Sequence, residues 1–229
     1  MTPIPLSPRS RARRPATDPR ATPGIRHRPP LPGGYVGLGS QVWAWLALHR
    51  LGAGGSDALS RARALARLLP DAVAASEEAE LLAGAAGAII PLLHLAAVTS
   101  ENQWLDQATA IGDRLIETAR WENDTACWPS PRWPRGLGGL CHGVTGIGWS
   151  LARLALATGQ PRFSGLAMAA FAFEDTLYDP DAGGWHGAVT GYASTTPFPG
   201  LLAGTSGIAY QLLRMHPECD LPSVLTLQP

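Results

Sequence analysis

Lysine is absent: all 18 basic residues in this 229-residue chain are arginine. That excludes Schiff-base catalysis and phosphate loops, both of which need a lysine amine. Cysteine is scarce. Cys127, Cys141 and Cys219 are odd in number and widely spaced, which argues against a disulfide scaffold and for a reduced, cytoplasmic setting. Charge is low as well, at 16% of residues, and the 18 acids balance the 18 arginines. A zero net charge disfavours a nucleic-acid binder that relies on bulk attraction. No apolar run reaches the roughly 18 residues of a membrane span, so none is expected. What is plentiful is apolar: 45% hydrophobic residues suffice for a buried core in one ordinary domain or two small ones.

The zero net charge hides an asymmetry. Residues 1–33 hold seven arginines, one acid (Asp18) and nine prolines, leaving the body mildly acidic with 11 arginines against 17 acids. Such a segment, Pro-rich and without apolar periodicity, cannot offset its chain entropy and is expected to be disordered. It reads as an organelle address, a linker or the result of an early start codon; Arg13–Arg14 lacks the apolar stretch of a secretion signal. Residues 34–229 form the folded domain.

The body is helical by pattern. Trp104, Leu105, Ala108, Ile111, Leu115 and Ile116 recur at spacings of three and four, predicting a helix over Asn102–Arg120. Ser56–Leu69, with Asp57 near its start and Pro70 after its end, Gln41–Leu51 and Pro161–Leu177 read the same way. No strand pair is predicted. The stronger signal is self-similarity. Leu82-Ala-Gly-Ala-Ala-Gly-Ala-Ile89, Cys141-His-Gly-Val-Thr-Gly-Ile-Gly148 and Leu202-Ala-Gly-Thr-Ser-Gly-Ile-Ala209 align without gaps. Their glycine pairs, Gly84/Gly87, Gly143/Gly146 and Gly204/Gly207, repeat after 59 and then 61 residues, and each leads into an apolar helix. Gly37-Leu-Gly-Ser40 is a fainter copy. Each unit is long enough for two helices, which implies stacked helical hairpins.

These units resemble the lanthionine synthetase C-like family, nearest to the C-terminal cyclase domain of class II lanthipeptide synthetases. Gly139–Gly148, the helix over Trp149–Leu156 and Phe173–Trp185 resemble one family unit. Pro199–Arg214 with Pro222–Leu225 resembles its closing repeat and tail. The resemblance implies an all-α fold, an α/α toroid of Gly-x-x-Gly hairpins with the site at its centre. It also implies a zinc ion, held by two cysteines and a histidine, that activates a substrate cysteine for addition to dehydroalanine or dehydrobutyrine. The repeats carrying those ligands would fall between Trp185 and Pro199, where this chain has only 13 residues. The toroid therefore reads as partial and internally deleted, with four glycine units, fewer than the family's full ring.

Carried over by that resemblance, His142 takes the position of the family's proton-transferring histidine, and Glu80 that of an aspartate ahead of the second Gly-x-x-Gly. The alternatives are a loop histidine and a solvated glutamate in the run Glu77, Glu78, Glu80. Cys141 is either a metal ligand, with Cys127 or His186 as further donors, or a small buried cysteine. Zinc is a cofactor of the family whose ligand set this chain carries only in part. His49 and His94 read as packing histidines. Trp121, Trp128 and Trp133 form a loop that lines a peptide groove or covers the core.

Three functions compete. The first is thioether cyclisation of a dehydrated precursor peptide in lanthipeptide biosynthesis, by a working or degenerate cyclase. The second is a non-catalytic hairpin module that binds a peptide or partner protein, or an inactive remnant. The third, glycoside hydrolysis on the toroid, needs two opposed carboxylates, with Glu80 and Glu174/Asp175 the candidates. No nucleic-acid or membrane partner is expected. An open arc of units leaves apolar faces that favour self-association, unless the units close into a smaller ring.

Overall fold

The computed structural model describes residues 29–131, 133–186, 197–216 and 218–221. Most of the N-terminal segment, part of the 13-residue stretch after Trp185 and the Pro222–Leu225 tail lie outside the described residues. Among the described residues eight helices carry the fold: α1 (Leu38–Arg50), α2 (Ala58–Ala66), α3 (Leu69–Ala74), α4 (Ala86–Thr99), α5 (Asn102–Thr118), α6 (Val144–Thr158), α7 (Pro161–Asp175) and α8 (Thr205–Met215). The all-α expectation holds. None of these helices is long and apolar enough to cross a membrane.

Helices α1, α4, α6 and α8 follow one another side by side, and α2, α5 and α7 back the first three. This arrangement follows from composition. The inner helices α4 and α6 are apolar on most faces and bury eight and nine residues, whereas α5 buries only one stripe, Trp104, Ala108, Ile111, Gly112 and Leu115. A helix apolar all round must be covered on several sides; one with a single stripe can face water.

The repeat is visible in the corners too. After α4 the chain turns through Ser100 (φ 57°), and after α6 through Gly159 (φ 68°). In both corners a threonine hydroxyl donates back to a leucine carbonyl (Thr99 to Leu95, Thr158 to Leu154) and accepts the next free N–H (Glu101, Gln160). Trp104 and Phe163, each fully buried, occupy matching places in the outer helices that follow.

Three expectations need correction. The helix predicted over Ser56–Leu69 stops at Ala66, and Pro70 opens α3 instead of following a helix end. Proline needs no N–H in a first turn, so it starts a helix as readily as it ends one. The absence of strands also fails. Two short antiparallel hairpins form, β1 (Arg120–Glu122) with β2 (Thr125–Cys127) and β3 (Tyr178–Asp179) with β4 (Gly184–Trp185). Their turns carry Asn123 at φ 53° and Gly183 at φ 66°, a local signal too short to show as alternation. Trp128 covers the core, its indole N–H donating to Leu115 O at 2.9 Å, while Trp121 is half exposed. His49 is exposed in the last turn of α1, not packed.

Candidate functional site

The four glycine loops are built alike. In each, the N–H that follows the first glycine donates to a carbonyl seven residues back: Leu38 to Leu31, Ala85 to Glu78, Val144 to Leu137 and Thr205 to Phe198, at 2.8–3.0 Å. The second glycine of the pair then sits on the loop's own backbone. A Cβ at Gly87, Gly146 or Gly207 would overlap the carbonyl oxygen of Leu81, Leu140 or Leu201 respectively. That is the physical content of Gly-x-x-Gly here: only hydrogen fits between helix and loop.

One hydrogen bond recurs at the same place between successive loops, and the first and second loops share three more (Gly33 N–H to Ala83 O, Gly34 N–H to Leu81 O and Val36 N–H to Leu82 O). Tyr35 N–H donates to Leu82 O (3.0 Å), Leu82 N–H to Cys141 O (3.0 Å) and Cys141 N–H to Leu202 O (2.8 Å). Four loops far apart in sequence thus form a ladder at the N-terminal ends of the inner helices. Side chains at the rungs and their neighbours are brought together there.

Glu80 and His142 meet on this ladder. Glu80 is buried and its carboxylate accepts the N–H groups of Leu82 (2.5 Å) and Ala83 (3.0 Å). Its Oε2 lies 3.6 Å from Nδ1 of the half-buried His142 ring, a charge pairing rather than a hydrogen bond. Glu80 is therefore no solvated glutamate; its neighbour Glu77 is the exposed member of that run. The Cys141 sulfur beside the ring, then the Glu80 carboxylate, hold the His142 pKa up to about 10 against the opposing effect of burial. At neutral pH the imidazolium is the form present, a proton donor held beside a carboxylate.

Cys141 is buried, one residue before His142. Tyr35 stands on the ladder two rungs away, its ring against Leu81, Ile90, Leu140 and Trp149. Among the described residues its buried hydroxyl has no hydrogen-bond partner, and burial first, then the charges of Cys141 and Tyr210, push its pKa up to about 12. Sequence reading passed over Tyr35, although it aligns with Leu82, Cys141 and Leu202 once the faint first unit is set in phase.

Glu174, fully buried on α7, reaches the third loop. It accepts the N–H of Gly139 at 3.1 Å and a short hydrogen bond from the Thr145 hydroxyl. Burial raises its pKa despite these two bonds. With Glu174 enclosed, it does not stand opposite Glu80 as the second free carboxylate that glycoside chemistry needs.

The sequence that builds these loops is that of a recognised family. The pattern described as lanthionine synthetase C-like protein matches residues 25–195. The chain belongs to the lanthionine synthetase C-like family. No curated protein matches it. The family match ends ahead of the fourth glycine unit, yet Gly204 and Gly207 repeat the packing of the other loops.

A tetrahedral zinc of this family needs at least three protein donors converging on one point. Among the described residues no three His, Cys, Asp or Glu side chains do so. The further donors considered for Cys141 have other partners: Cys127 Sγ faces Arg120 Nη2 (3.6 Å) and Arg135 O (3.8 Å), and His186 Nε2 lies 2.7 Å from Asp179 Oδ2. The described residues therefore do not fit a zinc centre.

Proposed function

We propose that the chain forms thioether rings in a dehydrated precursor peptide, with Glu80 and His142 moving the protons. The reaction adds a peptide cysteine thiol to the β-carbon of dehydroalanine or dehydrobutyrine. The thiol proton passes to the Glu80 carboxylate, the sulfur bonds to Cβ, and the π electron pair moves through Cα to the carbonyl oxygen as an enolate. The His142 imidazolium then protonates Cα, and Glu80 returns its proton to the ring across the 3.6 Å gap. The observation that carries this reading is that gap: an acid and a base, 62 residues apart in sequence, share one end of the loop ladder.

The test uses a synthetic peptide with one dehydrobutyrine and one cysteine, scored by mass spectrometry as loss of the thiol that maleimide can label. The chain is expected to accelerate that loss over buffer, and His142→Asn to remove about 10²–10⁴-fold of it. A rate equal to buffer overturns the reading. A second reading, a module that binds such a peptide without turning it over, is favoured by the donor set around Cys141. Binding without loss of thiol would select it.

A further inference from the structure

The loop that carries Cys141 and His142 is pinned differently from its three relatives. All four are closed by the same backbone bond, but in the third a side chain from an outer helix also enters. Glu174 comes from the last turn of α7, and its Oε2 accepts both the Gly139 N–H, two residues before Cys141, and the Thr145 hydroxyl, three after His142. The carboxylate thus bridges the two flanks of the site segment. Equivalent positions cannot copy this: Thr145 is matched by Gly39 in the first unit and Ala86 in the second. In the fourth, Ser206 turns its hydroxyl to Pro199 O at 2.6 Å, within its own loop.

The loop is shaped around the carboxylate. Gly139 has φ +101°, a conformation side chains rarely adopt, and a Cβ at Gly138 would overlap Glu174 Oε1. Glu174 is fully buried, and Oε1 has no hydrogen-bond partner among the described residues. Fold stability alone gives no reason to bury a half-satisfied carboxyl, since an apolar side chain would avoid its desolvation cost. Its placement serves the loop.

We propose that Glu174 is the positioning residue of the site, a buried clamp that fixes the 139–145 segment so that His142 faces Glu80. The proposal rests on the thioether-forming reading for its chemistry, though not for its geometry. Glu174 touches no reacting atom; it acts through the loop backbone. Loss of the clamp frees the two flanks of a tight turn whose tip must hold an imidazole within ångströms of its partner, and a misplacement of about 1 Å can cost on the order of 10²-fold in rate.

The test compares Glu174→Gln, whose amide oxygen can still accept both bonds, with Glu174→Ala, which cannot. Hydrogen exchange and the alkylation of Cys141 by iodoacetamide report the loop directly, with exchange in α4 as the control for global opening. In Glu174→Ala, exchange over residues 137–146 and Cys141 alkylation are expected to rise about tenfold or more while α4 is unchanged, with Glu174→Gln close to wild type. On the peptide above, Glu174→Ala should lose kcat with KM little moved, and Glu174→Gln should restore it. If Glu174→Ala does not fold, Thr145→Val removes one of the two donors and carries the same comparison. An unchanged loop in Glu174→Ala, a rise in α4 exchange in step with the loop, or a loosened loop with full kcat each overturns the proposal. If the wild-type chain forms no rings, the thioether reading fails, and the loop measurements alone decide whether Glu174 positions the segment.

Discussion

Replacing Gly146 with alanine tests the packing on which the whole ladder depends. The added Cβ would overlap Leu140 O and stand 2.9 Å from Leu81 Cβ, well inside the roughly 3.5 Å at which such atoms rest. The first obstacle is backbone, so no side chain can swing away to relieve it. Forcing a methyl group into a filled site costs about 1–3 kcal/mol. Alanine recovers up to about 1 kcal/mol of helix propensity in mid-helix, less in the first turn where Gly146 sits. The balance is a loss of about 2 kcal/mol, or a fall in Tm of roughly 4–8 °C for a domain of this size. Gly165 is the control. It lies inside α7 with no atom within 4 Å of where its Cβ would stand, so alanine there should raise Tm by roughly 2–4 °C through propensity alone. Both are read from thermal melts followed by circular dichroism. A Gly146→Ala variant that melts at or above the wild type would refute the reasoning, because the helix could then stand off the loop at no cost. Gly87→Ala and Gly207→Ala should fall with Gly146→Ala, since their Cβ atoms meet the equivalent carbonyls.

His142 should titrate near pH 10 by nuclear magnetic resonance instead of near 6.5, and Cys141→Ala should bring it down further than Glu80→Gln, because the sulfur is the larger cause. A raised histidine pKa stabilises the protonated fold, so this contribution is complete below about pH 6.5 and fades as pH rises towards 10; an imidazole titrating near 6.5 would refute the pairing. Tyr35→Phe removes a buried hydroxyl that has no partner among the described residues while leaving the ring on the cluster of Leu81, Ile90, Leu140 and Trp149, so chemical denaturation should show stability equal to or above wild type. A loss of more than about 1 kcal/mol would mean that the hydroxyl has a partner after all.

Much of the architecture is local and so is written along the chain. The Gly-x-x-Gly spacing predicts the helix–loop contact because both partners lie within a few residues of each other. Trp104, Ala108, Ile111 and Leu115 show the buried stripe of α5 for the same reason. Pro70 marks the turn that opens α3, because a proline suits the first turn of a helix as well as the stretch after one.

The site is a different matter. The sequence named Glu80 and His142 as positions, but whether Glu80 was solvated or buried depended on Leu82 and Ala83 turning their N–H groups onto it, and on the third loop bonding to the second. Tyr35 carries no motif of its own, and Glu174, though inside the Phe173–Trp185 unit, has no local signal that it turns onto the third loop. A repeat declares its period because each copy must satisfy the same short-range contacts. The groups it gathers at one end of the inner helices are selected by hydrogen bonds between copies, and those exist only once the helices have stacked.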